Sequence, residues 1–290
     1  MLVHLKKLVQ KAEKGNYAIG AFNSFNLETT LGIARAAVKL KAPVIIQVSE
    51  TTIVYAGLKP ITHIVETIAK NEAVHVPVVL HLDHGKKFSS VAECIEAGFT
   101  SIMIDVSDLA FDENVKITKM AVDYAHKRDI WAQGELGKVI RDAKDIKKGE
   151  VREETMTNPK EAGKFVKGTG VDTLAVAIGN VHGIEKMING VPQLDYKRLE
   201  EIKLQVGKIP LVLHGASGIG EKEIKKAIDL GVRIINIDTE IRLAFTDALR
   251  QSLIKYKSEI DPREIMEEPI QAVEALIEKK IKMFGSEGKG

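Results

Sequence analysis

The sequence predicts a parallel β/α barrel, a (β/α)8 fold in a single domain over residues 1–290 with a C-terminal helical extension. Three observations carry that expectation. Short Val/Ile/Leu-rich runs alternate with longer amphipathic stretches from end to end. Each run is nearly all apolar, as in parallel strands covered on both faces. Nearly every run also ends in a polar or titratable side chain, which gathers such groups on one rim. A doubly wound open sheet is the alternative. No glycine-rich phosphate fingerprint follows the first strand, which weakens its dinucleotide-binding version. No repeat, low-complexity tract or Pro/Gly-rich linker marks a boundary.

The expected strands, in order, are "AIGAF" (18–22), "PVIIQVS" (43–49), "PVVLHLD" (77–83) and "TSIMID" (100–105), then "IWAQGEL" (130–136), "VDTLAVAI" (171–178), "IPLVLHG" (209–215) and "VRIINID" (232–238). Between them lie helical patterns at 26–40, 89–99, 111–128, 158–170, 195–206 and 220–231. Ser89, and Asn158 followed by Pro159, look like helix starts, and several patterns stop at glycine. In "LGIARAAVKL" the residues Ile33, Ala36, Ala37 and Leu40 fall at helical spacing, leaving Arg35 and Lys39 for water. Residues 137–157 break the rhythm. They are long, charged and poor in large apolar residues, the mark of a functional lid or a disordered segment.

Composition excludes several classes. The chain is 44% hydrophobic and 28% charged with a net charge of +2, so nothing calls for nucleic acid or an anionic membrane as partner. Cys94 is the only cysteine, which rules out an intrachain disulfide and a Cys-rich zinc site; its amphipathic surroundings suit a buried thiol. Lysines interrupt the first twenty residues, so no secretory signal is expected and the cytoplasm is the expected location.

The expected rim reads, strand by strand: Asn23; Ser49; Asp83 and His84; Asp105; Glu135; His182; His214; Asn236 and Asp238. In a barrel of this kind the active site lies at the carboxyl ends of the strands. His84, His182 and His214 are each followed by glycine. Three imidazoles from three strands suit a zinc ion that keeps a position open for substrate. His4, His63, His75 and His126 lack that context and read as surface or packing residues, and His81 as a satisfied core group. Asp83, one residue from a ligand, suits a general acid/base, with orientation of a histidine as the other role. Glu135 and Asp105 are candidates for a second cation or for orienting the histidines. "HGASGIGEKEI" and "NIDTEIR" each place small or polar residues ahead of a helix, where a phosphate binds well.

"GAFNSFNLET", "VVLHLDHG", "WAQGELG", "AIGNVHG", "VLHGASGI" and "NIDTEIRLAF" together resemble, in order and spacing, the class II zinc-dependent fructose-bisphosphate and tagatose-bisphosphate aldolases, along essentially the whole chain. The resemblance implies reversible cleavage of a ketose 1,6-bisphosphate, fructose 1,6-bisphosphate first, to dihydroxyacetone phosphate and glyceraldehyde 3-phosphate. It makes His84, His182 and His214 the Zn2+ ligands, Glu135 and Asp105 further metal contacts, and Asp83 the acid/base. Asn236 matches the residue that steadies the enediolate. Gly183, Gly215, Ser217, Asp238 and Thr239 match a phosphate pocket, with a monovalent cation, Na+ or K+, on the backbone near Val181, Gly183 and Gly215. Asn23, Ser49 and Arg242 match substrate contacts, and Arg263 an arginine for the distal phosphate, commonly donated by a partner subunit. A homo-oligomer, dimer or tetramer, is implied.

Two departures stand out. Val181 precedes the second histidine where the family usually has a small hydroxyl residue, and the 137–157 stretch leaves Asp142, Asp145 and Glu150 as unassigned proton-transfer candidates. Tagatose 1,6-bisphosphate or another phosphorylated ketose is the alternative substrate. A zinc hydrolase and a non-catalytic sugar-phosphate sensor are the competing classes. Phosphate-like loops argue against the first, and an acid/base beside a metal argues against the second.

Overall fold

The computed structural model describes residues 2–139, 153–183 and 193–290. Eight parallel strands close into one barrel in sequence order. They are β1 (Ile19–Asn23), β2 (Val44–Ser49), β3 (Val78–Gly85), β4 (Ser101–Ile104), β5 (Trp131–Leu136), β6 (Thr173–Val176), β7 (Leu211–Leu213) and β8 (Val232–Ile237). Closure comes from β1 pairing β8, with Ile19 opposite Ile234. All eight expected strands form with ends within two residues of those expected; β1 and β3 run past their expected ends, and the other six are shorter at one or both ends.

Helices cover the outside: α2 (Leu27–Lys39), α3 (Glu50–Ala56), α4 (Leu58–Asn71), α5 (Phe88–Glu96), α6 (Phe111–His126), α7 (Pro159–Thr169), α8 (Tyr196–Val206) and α9 (Glu221–Asp229). Helix α2 starts at a capping box in which Asn26 and Thr29 satisfy each other's backbone N–H. Asn158 caps α7 with Pro159 in its first turn, as the sequence suggests. Ser89 does not cap α5, because the helix begins one residue earlier at Phe88, after Lys87.

Two further helices, α10 (Thr239–Lys255) and α11 (Pro262–Phe284), form the C-terminal extension. Helix α11 lies across α2 and α10. Arg35 and Lys39 keep the solvent contact the sequence suggests and gain acidic neighbours from α11. They line the α11 side of α2, where Lys39 Nζ sits 2.6 Å from Glu278 and Arg35 sits 3.4 Å from Glu267. Both pairs stay in solvent, so each adds little to stability. The tail returns to the barrel: Gly288 and Gly290 donate to the carbonyls of Leu40 and Lys41. Among the described residues, no helix is long and apolar enough to cross a membrane.

Strand residues alternate between the helix layer and the lumen. Val78, Leu80 and Leu82 belong to the cluster under the helices, while Val79 packs inside the barrel with Ile19, Ala21, Ile45, Met103, Trp131, Ala175, Val212 and Ile234. Helix α1 (Leu5–Gly15) inserts Leu5, Leu8, Val9 and Ala12 into that same inner cluster and stops the amino end of the barrel. His4 caps α1 through its ring nitrogen, a structural role, as expected outside the rim. Cys94 lies on the buried face of α5, and burial pushes its thiol up to about 12, so it is inert at neutral pH.

A candidate metal centre at the carboxyl mouth of the barrel

Two residues further along each inward row the lumen turns polar. Gln47 and Gln133 follow Ile45 and Trp131, His81 follows Val79, and Asn236 follows Ile234; all four are buried. His81 Nδ1 lies 2.8 Å from Ser101 Oγ. Burial lowers the His81 pKa to about 4 despite the nearby Asp83, so the ring is neutral and satisfied in the core.

One layer higher, a cavity of about 530 Å³ opens at the mouth. Asn23, Ser49, Asp83, His84, His182, Gly183, His214, Gly215, Ser217, Asn236, Asp238, Thr239 and Arg242 all line it, so thirteen sequence candidates converge. Gln47, Glu50, Thr51, Lys86 and Leu243 line it too, and the rim reading missed them. Gln47 was findable, because it sits two residues before Ser49 on the same side of β2. Lys86 follows Gly85 directly, so the end of β3 presents a lysine to the mouth.

Asp83 is held through a chain of amides. Gln47 Nε2 donates to Asn23 Oδ1 at 2.6 Å, and Asn23 Nδ2 donates to Asp83 Oδ2 at 2.9 Å. The other carboxylate oxygen, Oδ1, is buried with no hydrogen-bond partner and lies 3.8 Å from His84 Nε2.

Adjacent residues of a regular strand face opposite ways, yet Asp83 and His84 both reach the site. His84 achieves this with φ +51°, a left-handed conformation, where the β3–β4 register also shifts between Leu82 and Gly85. Gly85 is required there: a Cβ would come within 2.7 Å of the Met103 carbonyl.

The three rim histidines come together. His84 and His214 rings cross with centroids 4.6 Å apart, and His182 stands 5.5 Å from His84 and 6.2 Å from His214. One nitrogen from each lies within 4.8 Å of the others. His84 Nε2 and His214 Nδ1 face each other at 2.9 Å. Tetrahedral zinc bonds of about 2.0–2.1 Å would separate two such nitrogens by roughly 3.4 Å, a widening of about half an ångström. The donor set therefore fits a metal ion.

Neighbours fix the His84 and His214 rings. Asp105 Oδ2 accepts from His84 Nδ1 at 2.7 Å, Lys86 Nζ donates to the same oxygen at 2.5 Å, and Ser107 Oγ donates to Oδ1 at 2.7 Å. Burial opposes the Asp105 charge, but His84 and Lys86 outweigh it and hold the carboxyl far below its usual range. With its oxygens engaged in this way, the Asp105 carboxylate is arranged to orient His84. Glu135 Oε2 lies 3.7 Å from His214 Nδ1 and 3.9 Å from His84 Nδ1, close enough to serve a metal as well. Burial works against a charged His84, yet Asp83, Asp105 and Glu135 raise it to about 9. His214, wholly buried between imidazoles, goes well below its ordinary value. Its Nε2 faces Gln133 at 3.0 Å and Asn236 at 3.3 Å.

The second and third histidine loops are also locked together. Asn180 accepts from Ile178 N and donates to the carbonyls of Val176 and His214. Gly215, at φ +59°, lets the Val181 carbonyl approach so closely that a Cβ would meet it at 2.5 Å. Past β8, Arg242 Nε donates to Asp238 Oδ1 at 2.8 Å, and its guanidinium lies over Phe25.

Arg263 is not brought to the cavity within one chain. It is exposed at the start of α11, paired with Asp261. Asp142, Asp145 and Glu150 lie outside the described residues.

A closed barrel with a metal-fitting imidazole cluster and a carboxylate at its open mouth defines a class of metal-dependent barrel enzymes. The family model for class-II fructose-bisphosphate aldolase matches residues 3–289, and the chain belongs to that family, whose members are carbon–carbon lyases dependent on zinc. It is 43% identical to a fructose-bisphosphate aldolase of Geobacillus stearothermophilus, covering 99% of this chain and 98% of that one. The crystal structure of the YdjI aldolase from Escherichia coli K12 superposes with a TM-score of 0.86 at 34% identity, covering 100% of this chain and 99% of that one. A Campylobacter jejuni fructose-bisphosphate aldolase shares the fold, with a TM-score of 0.83 at 23% identity over 100% and 97% of the two chains.

Proposed function

We propose that this chain reversibly cleaves fructose 1,6-bisphosphate to dihydroxyacetone phosphate and glyceraldehyde 3-phosphate with zinc held by His84, His182 and His214. The observation that carries the reading is the pairing of that imidazole cluster with Asp83, whose Oδ1 has no hydrogen-bond partner at the same open mouth. The activity named for the 43%-identical relative supports it. Bound zinc supplies Lewis-acid polarisation of the substrate's ketone.

The chain's own residues do the rest. Asp83 Oδ1 takes the proton from the hydroxyl beside the breaking bond, while Asn23 and Gln47 keep the carboxylate from rotating. Asn236, beside His214, steadies charge on the ketone half with its amide. Gly183, Gly215, Ser217, Asp238 and Thr239 hold that half's phosphate, with backbone N–H groups and the α10 N-terminus as donors. A monovalent cation, Na+ or K+, belongs on the carbonyls near Val181, Gly183 and Gly215. Lys86 is no Schiff-base nucleophile, because its amine is tied to Asp105. Arg263, far from its own cavity lining, serves the distal phosphate of a neighbouring copy, which makes the active form a homo-oligomer.

The test is cleavage of fructose and tagatose 1,6-bisphosphates side by side, before and after chelation. Cleavage of the fructose ester that stops with the chelator and returns with Zn2+ is the expected result. Faster cleavage of the tagatose ester would rename the substrate. Zinc bound with neither ester cleaved would overturn the bisphosphate reading.

A further inference from the structure

Lys280 is the one buried lysine among the described residues, and nothing in the mechanism above uses it. A lysine is almost never this buried unless it is paired. It sits late in α11, and its Nζ lies 2.7 Å from Glu240 Oε2. Glu240 is the second residue of α10, directly after Thr239, which lines the cavity. Its backbone N–H donates to Ser217 Oγ at 3.4 Å, so it also touches the loop after β7. The first turn of α10 thus carries a carboxylate where a helix N-terminus attracts anions. That carboxylate competes for the N-terminus and repels a second negative group.

We propose that Lys280 is a positioning residue for substrate phosphate: it neutralises and holds back Glu240, so that the start of α10 stays open to an anion. The inference rests on the phosphate pocket of the proposed function. It assigns the C-terminal helix a part in substrate affinity, although Lys280 itself does not line the cavity. A purely architectural pair would fasten α11 to α10 and leave anion affinity alone.

The experiment reads binding of inorganic phosphate to the zinc-loaded protein by calorimetry, together with KM and kcat for the bisphosphate. Lys280→Met is expected to weaken phosphate binding about tenfold, the order of effect of one unmasked charge several ångströms away at intermediate dielectric. KM rises by more than kcat falls, with zinc content unchanged. Adding Glu240→Gln to that variant removes the unmasked charge and restores phosphate binding, although the ion pair is gone. Unchanged phosphate affinity in Lys280→Met overturns the proposal, and so does a double variant as weak as the single one, since packing would then be the cause. Should Lys280→Met fail to fold, Glu240→Gln alone decides: tighter phosphate binding supports the idea, and unchanged or weaker binding overturns it. If the unaltered protein binds no phosphate at all, the pocket reading itself falls, an outcome distinct from the others.

Discussion

The two ends of one barrel lumen differ in almost every physical respect. At the amino end, Ile45, Val79, Met103, Trp131 and Ile234 meet helix α1 in a dry, apolar floor. At the carboxyl end, the next positions of the same inward rows present Gln47, His81, Gln133 and Asn236, and then Asp83, Glu135 and the histidines. The floor is held by area removed from water. The mouth is held by directional bonds, such as Gln47 to Asn23 to Asp83, and by buried charges that offset one another, such as His84 between Asp105 and Glu135. Stability therefore concentrates at one end and chemistry at the other. The division works because a strand's inward rows run unbroken from floor to mouth.

Substitutions at the two ends separate the roles. Asp83→Asn at the mouth is expected to lower kcat by about 10²–10⁴, the range of a lost general acid/base, with the melting temperature nearly unchanged. Turnover measured beside thermal unfolding checks both parts. Ile45→Ala at the floor is expected to do the reverse, costing about 2–5 kcal/mol of stability by opening a cavity while leaving kcat/KM of the folded fraction near its starting value. Denaturant titration reads the loss, and a parallel loss of kcat/KM would erase the distinction between the ends.

Gln133→Leu tests the layer between them. It removes the group facing His214 Nε2 and is expected to weaken zinc binding about 10–100-fold in a chelator competition. The smallest expected effect is a proton count. With His84 raised to about 9, the metal-free ring carries a proton below that pH, and the metal must displace it. Zinc uptake at pH 7.5 is expected to release about one proton, and affinity to rise with pH up to about 9. Calorimetry in two buffers of different ionisation enthalpy measures the release, and a value near zero would refute the charged ring.

The sequence makes most of this visible, for a reason particular to parallel barrels. Strands covered on both faces are unbroken apolar runs, so all eight stand out, and the residue closing each run lands on the rim. Glu135, His214 and Asn236 were found that way. What stayed hidden depends on side-chain parity and on partners remote in sequence. Gln47 and Gln133 look like ordinary strand interior until the inward row is traced. The acidic partners of Arg35 and Lys39 lie on α11, more than 220 residues later, and no local pattern announces them. Lys86 stays hidden because β3 runs two residues past its expected end at Asp83, through His84 and Gly85, and so brings Lys86 to the rim.

The left-handed backbone at His84 has an evolutionary consequence. A non-glycine residue there holds a conformation that costs of order 1 kcal/mol, tolerated for the imidazole it delivers. Glycine at 84 would relax the chain, but it would abolish the ligand and leave the buried Asp105 and Glu135 without the imidazole that offsets them. Position 84 is therefore under selection from opposite directions. A descendant of this fold released from catalysis is expected to lose the histidine only together with the carboxylates buried around it, while the β3 bulge and Gly85 persist.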